Sequence, residues 1–147
     1  MELVSIKFKS FKNIISYILS YFLGFVFLTA SFYKIIHFGK FVDTLSLYGT
    51  LPRWIESFSI SLILIEFLTG IGFLIRQLVP VASVIGSILL IGFTTLIIIE
   101  YLRGNIGASC GCGLAIFANK INLEKILENI SLVVLCLASF LMHRNVN

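Results

Sequence analysis

Four long apolar runs constrain the fold of this chain more than any other feature. They cover residues 14–36, 55–75, 78–101 and 126–142. A helix needs about 20 residues to cross the hydrocarbon core of a bilayer, and the fourth run is near the lower limit of about 17. Within lipid, backbone groups must bond inside their own segment, and the runs lack the alternation of a strand barrel. They therefore predict an all-α integral membrane protein, a four-transmembrane-helix bundle.

Composition supports a membrane class. The chain has 147 residues, of which 59% are hydrophobic and 12% are charged, whereas soluble domains have about 45–50% and about 25%. Four crossings use this length, so we expect one membrane domain over residues 1–147 and no soluble catalytic module. The net charge of +4 comes from basic residues that are scattered or adjoin apolar runs, which is typical of contacts with lipid headgroups. We therefore exclude a nucleic-acid partner.

The first apolar run has a competing interpretation as a signal peptide. Thr29, Ala30 and Ser31 loosely resemble a cleavage site of small residues after an apolar stretch. However, the run continues to Ile36 and exceeds the usual apolar core of about 7–15 residues. A membrane span is therefore the favoured interpretation.

Two weaker patterns refine this architecture. Apolar residues after the first run recur at helical spacing and predict a short amphipathic helix lying in the membrane interface; these residues are Phe38, Phe41, Val42, Leu45 and Tyr48. Small residues also recur on single helix faces, which lets membrane helices approach closely. They are Ser16, Ser20 and Gly24 in the first run, and Ser83 and Ser87 in the third.

Four crossings fix which segments share a side of the membrane. Both termini and the turn at Arg76 lie on one side, and the loop over residues 102–125 lies on the other. The Lys and Arg counts are five and six, which does not decide the orientation. Lys7, Lys9 and Lys12 precede the first span and favour a cytoplasmic N-terminus in the cell inner membrane. The loop then faces the outer, oxidising side.

That loop contains the segment "GASCGCG", with Cys110 and Cys112 separated by Gly111. Cysteines at this spacing can bring their Cα atoms to about 5–7 Å, which overlaps disulfide geometry, and glycine tolerates the tight ring. Such a bond is strained and labile, and it removes little chain entropy. It therefore suits exchange better than reinforcement. Arg103 and Lys120 flank the pair and can lower a thiol pKa.

Three interpretations of the cysteine pair remain open. The first is thiol-disulfide exchange with a partner protein. The second is binding of a soft metal such as Cu(I), although two thiolates form an incomplete ligand set and no His or Met is near. The third is an inert local pair. Cys136 is different, because a thiol in the middle of an apolar helix behaves as a small hydrophobic side chain.

Glu66 lies about 15 Å along the second span, near the bilayer centre. A carboxyl group there is costly if ionised and must be protonated, paired or directed at a polar cavity. At helical spacing it shares a face with Ser59, Ile63 and Gly70, so this face is predicted to line the bundle interior. Two roles stay open, a proton or quinone-site residue and a structural hydrogen-bonded carboxyl.

Lys34 lies two residues before the end of the first span. Its side chain is expected to reach the interface, as long cationic side chains do. Pairing with Glu66 would have to bridge about 10 Å of depth, which is too far for direct contact unless the second span starts later than residue 55. Glu56 and Glu100 are the closer candidate partners.

The order of these motifs resembles DoxX-like membrane proteins, and within them the branch of the methylamine utilisation protein MauE. The segments that carry the resemblance are "FLTASFYKIIHFGKF", "YGTLP", "LIEFLTGIGFLI" and "LRGNIGASCGCG". The last is the most specific. Here Gly113 and Leu114 follow Cys112, where the family often has Phe-Gly.

The resemblance implies a four-helix membrane protein that helps a periplasmic partner with many disulfides to mature. Five positions match the family pattern and carry the implied site: Lys34, Glu66, Arg103, Cys110 and Cys112. Related four-helix thiol oxidoreductases pass electrons to a quinone, usually through a second cysteine pair. Cys136 has no second cysteine to pair with. The resemblance therefore implies that electrons pass from Cys110 and Cys112 directly to an acceptor, with a quinone as candidate cofactor, or to a thioredoxin-like protein. The sequence leaves open whether the protein is an enzyme or a non-enzymatic membrane subunit.

Overall fold

The computed structural model describes residues 2–47, 55–104 and 123–144. This part of the chain is helical and contains no strand. Five α-helices follow one another: α1 Glu2–Ile36, α2 Phe38–Leu47, α3 Ile55–Leu74, α4 Val79–Leu102 and α5 Leu123–Arg144. A short 3₁₀ turn, Arg76–Leu78, joins α3 to α4. The prediction of an all-α chain is confirmed.

Four of these helices are long and apolar enough to cross a membrane. The candidate spans are Asn13–Ile36, Ser57–Leu74, Arg76–Leu102 and Leu123–Arg144. The predicted four-span, multi-pass architecture is therefore confirmed.

Two helices begin earlier than the apolar runs suggest. Helix α1 starts at Glu2, well before the span itself. Helix α5 starts at Leu123 rather than at Ile126. Lys125 does not end the helical segment, because it is buried and bonded to Glu128 one turn along the same helix.

The spanning helices alternate in direction and define two ends of the bundle. The loop end contains the end of α1, the start of α3, the end of α4 and the start of α5. The terminal end contains the opposite ends, marked by Asn13, Leu74, Val79 and Arg144. A hydrogen bond of 3.3 Å between Ser20 and Ser139 joins α1 to α5 inside the half near the terminal end.

Small residues bring α1 and α3 into close contact. A Cβ atom placed on Gly70 would lie 2.9 Å from Cγ of Leu28, and one on Gly24 would lie 3.1 Å from the carbonyl oxygen of Gly70. Phe27 stacks on Phe73 with ring centroids 5.7 Å apart. The small-residue faces predicted from the sequence are buried, including Ser16, Ser20, Ser83 and Ser87.

The core and the short second helix complete the bundle. The main cluster of buried apolar side chains draws on α1, α3, α4 and α5. Helix α2 packs Phe41 and Leu45 against Ile63 of α3, while Lys40 and Asp43 are exposed. The predicted amphipathic helix therefore exists, and its position in the membrane interface stays a prediction.

Candidate functional site

A buried ion pair joins the first and second spans. Nζ of Lys34 donates to both carboxylate oxygens of Glu66, each at 2.7 Å, although the residues are 32 positions apart in the chain. Lys34 is 1% exposed and Glu66 is 4% exposed. A double contact of opposite charges is a strong form of hydrogen bonding. It supplies the partner that each charge needs inside a bilayer.

The prediction that Lys34 lies too far from Glu66 was wrong, and so was the prediction that it reaches the interface. The depth estimate placed the ends of α1 and α3 at one level. They are not level, because Phe32 packs on Phe67 and Phe38 of α2 shares a groove with Ile60. The first turns of α3 therefore extend past the end of α1, and α2 packs beside them.

Aromatic rings surround the ammonium group of Lys34. Its nitrogen lies 4.3 Å from the ring centroid of Phe93 in α4 and 5.5 Å from that of Phe41 in α2. A cation over a ring face gains about 0.5–2 kcal/mol, with the larger values in dry sites. Contacts from α2, α3 and α4 thus converge on one side chain of α1.

Among its described residues, the structure shows no hydrogen bond or ion pair between Lys34 and Glu100, one of the two other partners expected from the sequence. Glu100 accepts a hydrogen bond from Arg103 at 2.9 Å, and the side chain of Glu56 is outside the described residues. The face of α3 predicted to line the interior does so, since Ser59, Ile63 and Gly70 are buried with Glu66.

An apolar groove is lined by side chains of α1, α2 and α3. It has a volume of about 500 Å³. Its lining consists of Phe32, Ile35, Phe38, Ile60, Ile63, Leu64 and Phe67. Its described side chains are all apolar and suit an acyl or isoprenoid chain. The quinone suggested by the resemblance stays a prediction.

A second group of charges lies where α4 ends and α5 begins. Arg103 is half exposed and donates to the buried carboxylate of Glu100. Lys125 is fully buried and donates to Glu128 at 2.8 Å. Sequence reasoning missed the Lys125 pair, although opposite charges three residues apart at the start of an apolar run are a usable signal.

Gly104 ends α4 with a positive φ of 82°. This left-handed conformation favours glycine. The amide of Gly104 donates to the carbonyl oxygen of Tyr101 at 3.2 Å. The chain thus leaves α4 directly after Arg103 and enters α5 at Leu123, so both ends of the cysteine segment start from the loop end.

The five predicted site residues fall into three groups. Lys34 and Glu66 contact each other, and Arg103 lies at the base of the loop. Cys110 and Cys112 lie outside the described residues, so their geometry stays a prediction. Within the described ranges, no three His, Cys, Asp or Glu side chains gather around one point.

Cys136 behaves as predicted. It is fully buried in α5 and its thiol is free. It packs in the main apolar cluster with side chains of α1, α3 and α4.

The fold and the buried charges define a class, a multi-pass membrane protein built as a four-span helical bundle. The sequence model of the methylamine utilisation protein MauE matches residues 12–142. The chain therefore belongs to the MauE family, which connects it with methylamine utilisation. No curated protein and no solved structure matches the chain significantly. The wider resemblance to DoxX-like proteins stays a prediction.

Proposed function

We propose that this protein is a membrane thiol-disulfide exchange factor that acts on an exported partner through Cys110 and Cys112. The observation that carries the proposal is the Cys-Gly-Cys pair in the segment between α4 and α5. Helix α4 ends at Leu102 and helix α5 begins at Leu123, both at the loop end. The third cysteine, Cys136, is fully buried in the core. Cys110 and Cys112 are therefore the proposed reactive thiols.

The proposed reaction begins with the pair oxidised. A partner thiolate attacks one sulfur of the pair, so that the strained bond breaks and a mixed disulfide forms. A second partner thiolate then attacks the mixed disulfide, which gives the partner its disulfide and leaves the pair as a dithiol. Two electrons move to the pair, and protons lost by the partner thiols balance those gained by the pair.

Resetting the pair requires a two-electron acceptor. A thioredoxin-like exported protein with an oxidised Cys pair meets this need by the same exchange in the opposite direction. Its disulfide becomes a dithiol as Cys110 and Cys112 join again. A quinone is the alternative acceptor that the resemblance implies, and no step of this scheme is assigned to it.

Charges at the loop end support thiol chemistry. Arg103 leaves half of its side chain exposed at the base of the loop, and the positive end of the α5 dipole starts at Leu123. Positive potential favours a thiolate over a thiol. In this proposal the Lys34–Glu66 pair does not contact the thiols. It holds α1 against α3 in the half of the bundle nearest the cysteine loop.

The proposal places the protein in the cell inner membrane with the loop on the outer side. Lys7, Lys9 and Lys12 before the first span favour a cytoplasmic N-terminus. An outer location exposes the pair to an oxidising compartment, where disulfides persist.

Thiol labelling in intact cells tests this proposal. A membrane-impermeant PEG-maleimide is applied with and without prior reduction, and mass shifts are read on a gel. We expect no added label before reduction and two labels after it. Cys136→Ser is the matched control and keeps this pattern, whereas Cys110→Ser/Cys112→Ser abolishes it. A pair that is reduced at steady state, or unreachable from outside after reduction, contradicts the proposal.

Partner oxidation tests the function itself. In cells carrying Cys110→Ser/Cys112→Ser, we expect exported cysteine-rich proteins to accumulate free thiols, measured by thiol trapping and mass spectrometry. Cells carrying Cys136→Ser stay normal. Normal partner oxidation in the double variant refutes the exchange role. Copper that copurifies with the protein and is lost on alkylation instead supports soft-metal binding.

A further inference from the structure

A second polar site lies at the terminal end, away from the cysteine loop. An open pocket of about 550 Å³ separates the start of α4 from the end of α5. Its lining among the described residues consists of Arg76, Gln77, Pro80, Phe140, His143 and Arg144. Its volume is in the range of small-ligand sites, which is about 300–1,000 Å³.

The cations of this pocket meet no carboxylate among the residues that the structure describes. Throughout the described ranges, no carboxylate pairs with Arg76 or Arg144. Arg76 instead lies over the ring of Tyr17, 4.3 Å from its centroid. Within the described ranges, a ring contact and not a carboxylate thus holds Arg76 at the pocket.

The acidic residues explain this imbalance. Glu2 is the one acid on the terminal-end side, against five Lys and Arg residues. By the predicted topology, the segments on the loop-end side hold six acidic and six basic residues. This topology assigns the net charge of +4 to the terminal-end side.

His143 provides an independent sign of a missing ligand. It is 7% exposed and lines both this pocket and a small neighbouring polar cavity with Ser16, Ser20 and Arg76. Among the described residues, none makes a hydrogen bond to its ring. Its ring nitrogens are nevertheless not fully enclosed, and the residue lines the pocket. They are therefore open to a hydrogen bond with a polar ligand there.

We propose that this pocket binds the phosphate group of an anionic membrane phospholipid. The guanidinium groups of Arg76 and Arg144 can donate paired hydrogen bonds to phosphate oxygens, which is the geometry that arginine favours. His143 donates from the buried side. Basic pockets between membrane helices are known to hold anionic headgroups.

The site favours a lipid over free phosphate. Two candidate spans end at the pocket, and the ends of spans meet the headgroup layer. Pro80 and Phe140 give the pocket an apolar wall. That wall can contact the glycerol and upper acyl carbons of a lipid but offers nothing to an inorganic anion. The proposal does not depend on the role of Cys110 and Cys112.

Thermal unfolding of the full chain in neutral detergent tests the site. Three probes are compared: dioleoyl phosphatidylglycerol, dioleoyl phosphatidylcholine and inorganic phosphate. We expect phosphatidylglycerol to raise the Tm of the wild type more than the other two. Equal shifts with both lipids refute the site, and an equal shift with inorganic phosphate refutes the lipid as its ligand.

Matched double variants localise the effect. Arg76→Gln/Arg144→Gln is expected to bind phosphatidylglycerol about 30-fold more weakly, because each cation near an anionic surface contributes about fivefold. Lys40→Gln/Arg103→Gln removes two exposed cations from the loop end and is expected to keep the binding. Retained binding in the first variant, or equal loss in both, refutes the site.

A second variant guards against misfolding. Arg144 is exposed, so Arg144→Gln alone is expected to fold normally and to bind phosphatidylglycerol about fivefold more weakly. Native mass spectrometry then counts the lipids retained by each variant. Undiminished retention by Arg144→Gln contradicts the proposal.

Discussion

The two ends of the bundle handle positive charge in opposite ways. Toward the loop end, buried lysines meet carboxylates of the same chain, Lys34 on Glu66 and Lys125 on Glu128. At the terminal end, Arg76 and Arg144 meet none among the described side chains. A cation enclosed by helices needs an internal counter-charge, because hydrocarbon offers none. A cation at the membrane edge can instead take its counter-charge from lipid headgroups or from ions in water.

The largest effect is expected when the buried counter-charge of Glu66 is removed. Lys34→Met leaves the carboxylate of Glu66 buried without a counter-charge and should lower the free energy of unfolding by about 3–5 kcal/mol. Denaturant unfolding in detergent micelles measures this. The control is Lys34→Met/Glu66→Leu, which removes both charges and should recover most of the loss. A single variant as stable as the wild type would show that the pair contributes little.

The next effect concerns the packing that lets the pair meet. Gly70→Ala places a Cβ atom 2.9 Å from Cγ of Leu28 and should cost about 1–3 kcal/mol through overpacking. Gly92→Ala is the matched control, since a Cβ atom there meets nothing within 4 Å. If both variants unfold at the same temperature, close contact between α1 and α3 does not determine how the two helices align along each other.

A smaller effect is expected for the pair at the loop base, in which the arginine is exposed and the carboxylate is buried. Arg103→Gln loses its contact with Glu100, but 54% of the arginine side chain is exposed. Water and salt screen such a pair, so the expected loss is about 0–1 kcal/mol and should shrink in high salt. Thermal unfolding at low and high salt measures it. A large, salt-independent loss would place Arg103 among the buried pairs.

The smallest effect is expected at the terminal end. Arg144→Gln in neutral detergent should change the free energy of unfolding by less than about 0.5 kcal/mol, as exposed substitutions usually do. Its effect should appear only when an anionic lipid is added. A marked loss in neutral detergent alone would mean that this end, too, is compensated by the chain.

The sequence predicts the elements of this fold well, because their signals are local. Apolar runs indicate the four spans, helical spacing indicates α2, and small-residue faces indicate which surfaces pack. The interior position of Glu66 also follows from its helix face. These features need only the period of a helix and the thickness of a bilayer.

The partner of Lys34 could not be predicted in the same way. Its depth relative to Glu66 depends on how far α3 extends past α1, which side-chain packing between the helices decides. The burial of Lys125 and His143 has the same origin, since both depend on which helix lies opposite. Local spacing places a residue on a face, but only tertiary contacts give it a neighbour.

The distance along the chain between Lys34 and Glu66 also has a consequence for biosynthesis. The ribosome completes the first span, with Lys34, before it makes Glu66, whose carboxylate neutralises that lysine. The nascent helix must therefore enter the bilayer with its ammonium still hydrated near the headgroups. Only when the following hairpin inserts can that group be drawn inward, so closure of the ion pair marks the moment at which separate inserted helices become one assembled protein.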